Sequence, residues 1–169
     1  MNIVQCLTRG HDLGLPRLES QILLLFTLGR PRHDRAWLIA HDTDQLTAAR
    51  VGYFEALVQR RLHHEPVAYI VGEKEFFGLT LQIDKYVLDP RDDTEVLVEW
   101  ALVCGDSFSA PRFLDLGTGS GAMGLALAKN LPNSQVTCVD VSAEALTIAQ
   151  ENAHLLHLNS VKFIQSNWF

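Results

Sequence analysis

The residues best placed to do chemistry in this 169-residue chain read Asp115-Leu116-Gly117-Thr118-Gly119-Ser120-Gly121. Glycines at alternate positions let a backbone bend sharply and let a ligand approach more closely than any Cβ permits. Asp140 follows 19 residues after Gly121, where a carboxylate can accept both ribose hydroxyls of an adenosine ligand. Taken loosely, Gly117, Gly119 and Ala122 also satisfy a dinucleotide fingerprint. Asp115 speaks against a dinucleotide. Its carboxylate stands at the mouth of the turn where a pyrophosphate would lie, and like charges repel in a partly desolvated site. A ligand carrying an ammonium and a sulfonium gains from the same carboxylate, and S-adenosyl-L-methionine is such a ligand without a phosphate. Downstream, Ser166-Asn167-Trp168-Phe169 follows an apolar strand. Asn167 can pair with the amino edge of adenine, and Trp168 offers an aromatic surface. The candidate cofactor-binding residues are therefore Asp115, Gly117, Thr118, Gly119, Ser120, Gly121, Asp140, Asn167 and Trp168.

These residues need a scaffold, and the flanking pattern predicts one. Residues 113–116 read as a short buried strand, 121–130 as a helix ended by Pro132, and 135–139 as a second strand. Ser142 then caps a helix with Leu146, Ala149, Ala153 and Leu156 on one face, and 161–164 form a third strand. Strands alternating with helices predict parallel pairing through right-handed crossovers, the arrangement of a nucleotide-binding α/β half.

Upstream, residues 1–72 read as a helical bundle. Pro16 opens a helix with Leu18, Ile22, Leu25 and Leu28 inward, and Asp44 is a candidate N-cap for a helix burying Val51, Phe54, Val58 and Leu62. Residues 73–92 read as a β-hairpin linker, with Leu79, Leu81 and Ile83 alternating with polar residues and Gly78 marking the turn. Asp92 or Asp93 caps a following helix with Val96, Leu97, Trp100, Ala101 and Cys104 on its apolar face, and 105–111 read as a polar loop. Residues 93–169 then make the α/β domain.

Composition narrows the function classes. The formal charge of −6 opposes the cationic field that nucleic-acid binding needs. Arg60 and Arg61 beside His63 and His64 read as a solvated helix end, and the histidines lack further ligands at metal spacing. The longest unbroken apolar stretch, Ile22 to Phe26, falls far short of the ~20 residues of a membrane span. No leader is read at the N-terminus, and three scattered cysteines, Cys6, Cys104 and Cys138, suit reduced thiols in a cytoplasmic protein.

Five segments together resemble the HemK/PrmC protein-glutamine methyltransferases. They are Glu65-Pro66-Val67-Ala68-Tyr69-Ile70-Val71-Gly72, Glu75-Phe76-Phe77-Gly78-Leu79, Pro90-Arg91-Asp92-Asp93-Thr94-Glu95, the glycine loop, and Ser166-Asn167-Trp168-Phe169. The resemblance implies a helical partner-docking domain followed by the first half of a Rossmann-like class I methyltransferase sheet. It implies methyl transfer from S-adenosyl-L-methionine, with no metal, to a glutamine side-chain amide. In the release-factor branch that glutamine lies in the Gly-Gly-Gln loop that triggers peptide release in translation termination. A sibling branch methylates a ribosomal-protein glutamine, and a non-catalytic module binding a protein and S-adenosylmethionine is the alternative from another class.

The family orients its amide with an Asn-Pro-Pro-Tyr motif after a fourth strand, and no such motif occurs here. The expectation is a fragment or truncated product of a longer enzyme, with no catalytic residue of its own. It would bind cofactor weakly, transfer no methyl group, and self-associate through an unpaired strand edge. Asp89, Asp92 and Asn167 stand where the family usually has Ile, Pro and Asp.

Overall fold

The computed structural model describes residues 1–168 and divides into two compact units, Met1–Val71 and Gly72 onward. The first is all helical: α1 (Ile3–Asp12), α2 (Arg17–Thr27), α3 (Arg35–Ala40), α4 (Ala48–Leu62) and α5 (Val67–Val71). Asn2 and Gln5 cap α1 reciprocally, each side chain accepting the other's backbone N–H. The core holds Ile3, Cys6, Leu23, Leu24, Leu25, Phe54, Leu57 and Val58. Two sequence expectations need correction. Leu18 is exposed while Leu23 and Leu24 are buried, because α2 packs against α1 on one side and α4 on another. Asp44 is not the cap of α4. Thr47 is, its side chain accepting the Arg50 N–H, while the Asp44 carbonyl accepts the Ile3 N–H. Arg60 and Arg61 pair with Glu65 and Glu19 respectively, so neither is a free cation for a polyanion.

The second unit begins with a hairpin of β1 (Glu73–Phe76) and β2 (Leu79–Gln82), antiparallel with Phe76 opposite Leu79. Phe77 and Gly78 both have positive φ (49° and 74°), the pattern of a two-residue hairpin turn whose twist matches its strands. The Phe77 N–H donates to Glu95 Oε1 and the Gly78 N–H to Glu75 Oε1, while Lys74 Nζ lies 3.1 Å from Asp92 Oδ1. Glu95 and Asp92 thus anchor the hairpin. The strand pattern ends at Gln82, although the alternation of apolar residues continues to Ile83.

A 3-10 turn over Asp92–Thr94 leads into α6 (Glu95–Asp106), so neither Asp92 nor Asp93 is its cap. Gly105 lies inside α6 rather than in a loop. A Cβ there would stand 2.8 Å from both Leu131 and Phe113, so the glycine serves close packing rather than a turn. The apolar face of α6 is rotated from the predicted one. Val98 is buried and Ala101 half-buried, whereas Val96, Leu97, Trp100 and Cys104 are exposed, because α6 meets α7 through the side that carries Val98 and Gly105.

The remaining elements are β3 (Arg112–Leu116), α7 (Ala122–Asn130), β4 (Gln135–Asp140), α8 (Ala143–Leu155) and β5 (Lys162–Gln165). The strands form a parallel sheet in the order β3-β4-β5, with Asp115 beside Cys138 and Asp140 beside Gln165. Parallel order and the alternating helices match the α/β expectation, and the Ser142 side chain caps α8 by accepting the Ala145 N–H. Leu125, Ala126 and Ala149 of the two helices and Cys138 of β4 are all fully buried.

Candidate functional site

The glycine loop joins the C-terminal end of β3 to the start of α7. Gly117, Gly119 and Gly121 have φ of 73°, 54° and 83°, a conformation that side-chain-bearing residues rarely adopt. Above Gly117 and Gly119 no atom lies within 4 Å of where a Cβ would be, so the loop is open on that side. Gly121 is closed below, where a Cβ would meet Leu125 at 2.9 Å and Ala149 at 3.2 Å.

The loop's amides already have partners. The Gly117 and Thr118 N–H groups both donate to the Val139 carbonyl, and the Gly121 N–H donates to the Thr118 carbonyl. The Gly119 N–H donates to Asp140 Oδ2 at 2.9 Å. Asp140 Oδ1 accepts from the Ser142 N–H at 3.0 Å, which joins the end of β4 to the start of α8. A carboxylate has about four acceptor positions, so Asp140 retains capacity for a ligand hydroxyl. Asp115 Oδ2 accepts from the Thr118 hydroxyl at 2.7 Å and the Gly124 N–H at 3.1 Å. Burial raises the Asp115 pKa above the ordinary aspartate range, against the lowering effect of those two hydrogen bonds, and Asp140 adds to the rise. Cys138 lies beneath. Burial first, then Asp115, push its thiol up to about 12 despite a lowering hydrogen bond from Thr118.

A cleft of about 140 Å³ opens beside the loop, lined by Leu116, Gly117, Val139, Asp140, Val141, Ser166, Asn167 and Trp168. It brings Gly117 and Asp140 together with Asn167 and Trp168 across the ends of three adjacent strands. The Ser166 N–H donates to the Asp140 carbonyl and fixes the end of β5 there. Trp168 has φ of 73° and is 64% exposed, so its ring is not core packing. Phe169, the last residue of the closing segment, lies outside the described residues. Thr118 and Ser120 face the protein rather than the cleft, at 7% and 2% exposure. A larger open depression on the outer face of α8, lined by Thr147, Gln150, Glu151, His154 and Leu155, contains none of the loop residues. Among the described residues no group of three potential metal ligands comes together.

Asn152 was not legible as part of this constellation. It is fully buried on α8, and its side-chain amide bonds the backbone of Gln82 and the Ser120 carbonyl. The available signal was a polar residue of modest helix propensity one turn beyond Ala149, on a face otherwise apolar.

Comparison with known proteins extends this geometry. Residues 4–72 match the family described as PrmC N-terminal domain, and residues 107–169 match a methyltransferase domain family. The release factor glutamine methyltransferase of Bordetella pertussis is 46% identical over 94% of this chain and 57% of its own length. The protein of the same name from Aliivibrio fischeri is 41% identical over 98% of this chain and 57% of its own, and that of Xylella fastidiosa 44% over 92% and 55%. This chain therefore spans little more than half the length of these relatives. Among solved structures, a SAM-dependent methyltransferase from Agrobacterium tumefaciens is similar over 57% of this chain and 32% of its own, with 22% identity and a TM-score of 0.49.

Proposed function

We propose that this chain, similar over nearly all of its length to proteins named release factor glutamine methyltransferase, carries the S-adenosyl-L-methionine site of an enzyme that methylates a glutamine side-chain amide in a peptide chain release factor. The supporting observation is the pairing of two carboxylates, Asp115 and Asp140, with a loop whose Gly117, Thr118, Gly119 and Gly121 amides are all engaged within the protein. A diphosphate is held by such amides when they point outward and unpaired. Here four of those amides are engaged, and Asp140 lines the cleft beside an open glycine surface, with Asp115 held close by through Thr118 and Gly124.

The donor set fits the methyl donor on chemical grounds. Asp115, next to the cleft rather than part of its lining, can add its negative charge for a ligand ammonium, Asp140 can take the ribose hydroxyls, and Asn167 and Trp168 border the space for adenine. When bound, S-adenosylmethionine supplies an electrophilic methyl group on a sulfonium. The protein's contribution is to hold the ligand by its ends and leave the sulfonium side accessible. An amide nitrogen is a poor nucleophile, so transfer further requires groups that orient it in line with the methyl group. The resemblance assigns these to Asn-Pro-Pro-Tyr, which the 169 residues do not contain. For this chain taken alone, the reading is cofactor binding without transfer. Its net charge of −6 suits a basic protein substrate, through the steering that complementary fields provide.

Titration calorimetry with S-adenosylhomocysteine tests the site. Asp140→Ala should weaken binding about 10- to 100-fold, the usual scale for losing hydrogen bonds to a charged group. Equal affinities for the two proteins would remove the ribose contact, and tight NAD binding would overturn the cofactor assignment. Incubating the chain with a release factor and tritiated S-adenosylmethionine should leave the glutamine unlabelled. Measurable labelling would contradict binding without transfer.

A further inference from the structure

Within the second unit a single buried amide joins the hairpin to the glycine loop. Asn152 Oδ1 accepts the Gln82 N–H at 2.7 Å, and Nδ2 donates to the Gln82 carbonyl and to the Ser120 carbonyl, each at 2.9 Å. Both side-chain N–H groups and the oxygen are in use, and the residue is fully buried. Toward β2 the side chain behaves as a surrogate peptide group, pairing with the backbone N–H and C=O of one strand residue. Toward the loop it holds the carbonyl immediately before Gly121, whose α-carbon is packed against Leu125 and Ala149.

Only an amide side chain carries the one acceptor and two donors that these three backbone groups need. Aspartate accepts but cannot donate, and leucine leaves one N–H and two carbonyls without a partner in a dry site. The contact also joins the two segments by hydrogen bonds that have discrete made and broken states, which is the physical requirement for coupling. If the Ser120 carbonyl turns, the amide that holds Gln82 must turn with it.

We infer that Asn152 is a positioning residue that couples the hairpin to the glycine loop, so that a ligand seated on the loop also fixes the placement of β2. The inference deepens the cofactor reading and rests on it for its ligand. It is tested on the 169-residue chain by amide hydrogen exchange with and without S-adenosylhomocysteine. The Ile83 N–H, which donates to the Gly72 carbonyl, reports on the hairpin, and the Leu125 N–H, which donates to the Gly121 carbonyl, reports on the loop. With the ligand at a hundred times its dissociation constant, openings that break the loop are suppressed about a hundredfold. Both amides should therefore slow together in the wild type. In Asn152→Ser the Leu125 amide should still respond, while the response of Ile83 should fall to near unity. Val98→Ala, a buried truncation on α6, serves as a destabilised control and should keep both responses.

An Ile83 amide that ignores the ligand in the wild type would overturn the coupling, even if Asn152→Ser failed to fold. The same response of Ile83 in Asn152→Ser and Val98→Ala would also overturn it. Failure of the wild type to take S-adenosylhomocysteine would instead refute the cofactor reading. The coupling would then be read without ligand, since Asn152→Ser should speed Leu125 exchange more than Val98→Ala does once each is corrected for its loss of global stability. Equal corrected rates in those two variants would reject it.

Discussion

Gly124 and Cys138 are so close that a methyl group added to the glycine would lie 2.4 Å from the cysteine Sγ. The same Gly124 donates its N–H to Asp115. The absence of a side chain at one position therefore lets the first turn of α7 reach both β4 and the carboxylate that guards the loop. Gly124→Ala should destabilise the chain by about 1–3 kcal/mol, the range for overpacking a tight interior. Urea unfolding measures it, and the double variant Gly124→Ala/Cys138→Ala should recover much of the loss. Additive effects of the two substitutions would show that the clash is not the cause.

Asp115 yields a pH prediction with two opposite signs. Its pKa is raised in the folded chain, chiefly by burial. The stability this group contributes is therefore fully present below its unfolded pKa and is lost as pH rises through the higher folded value. Attraction for the ligand's ammonium, which S-adenosylhomocysteine shares with the methyl donor, requires the ionised form and follows the reverse course. On acidification through the raised pKa, affinity for S-adenosylhomocysteine should fall, and in Asp115→Asn it should be uniformly weak without that pH step. Calorimetry at a series of pH values checks this. An unchanged profile in Asp115→Asn would assign the step to another group.

Thiol chemistry should separate the three cysteines. Cys104 is exposed, whereas Cys6 and Cys138 are buried, with burial raising the pKa of both and placing Cys138 at about 12. Only a thiolate attacks a disulfide reagent at an appreciable rate. At pH 8 the native chain should show one fast thiol, and the other two should react only on unfolding. A second fast thiol would mean that one of the buried sites opens readily.

Self-association is expected of the isolated chain. Val96, Leu97, Trp100 and Val103 on α6 are each more than half exposed, and β3 is an edge strand among the described residues, with Leu114 55% exposed. Exposed apolar side chains along one helix and an unpaired strand edge each favour pairing with a second copy. Sedimentation velocity should show concentration-dependent association, weakened by Trp100→Glu with Val103→Glu. A monomer throughout, or association that the double substitution leaves unaltered, would rule out this face.

Much of the α/β unit was readable along the chain because its signals are local. A left-handed turn requires glycine at Gly117, Gly119 and Gly121, a helix start favours Ser142, and a strand of Val and Cys between turn residues marks β4. The loop, the strand-helix order and the aspartate at the end of β4 follow from such short-range constraints. The ends of α6 were not readable in this way, since Gly105 looks like a helix terminator until Phe113 and Leu131 close over it.

What the amino-acid order determined by itself was where the chain turns and which residue types stand at those turns. What only the tertiary structure decided was which partner each of them meets. Asp140 holds Gly119 and Ser142, Gly124 clears Cys138, and Asn152 joins Gln82 to Ser120 across 70 and 32 residues of sequence. Backbone conformation is dictated by sterics between neighbouring atoms, so it is written locally. Hydrogen bonding and close packing between distant segments depend on how whole elements dock, and no periodicity along the chain encodes that.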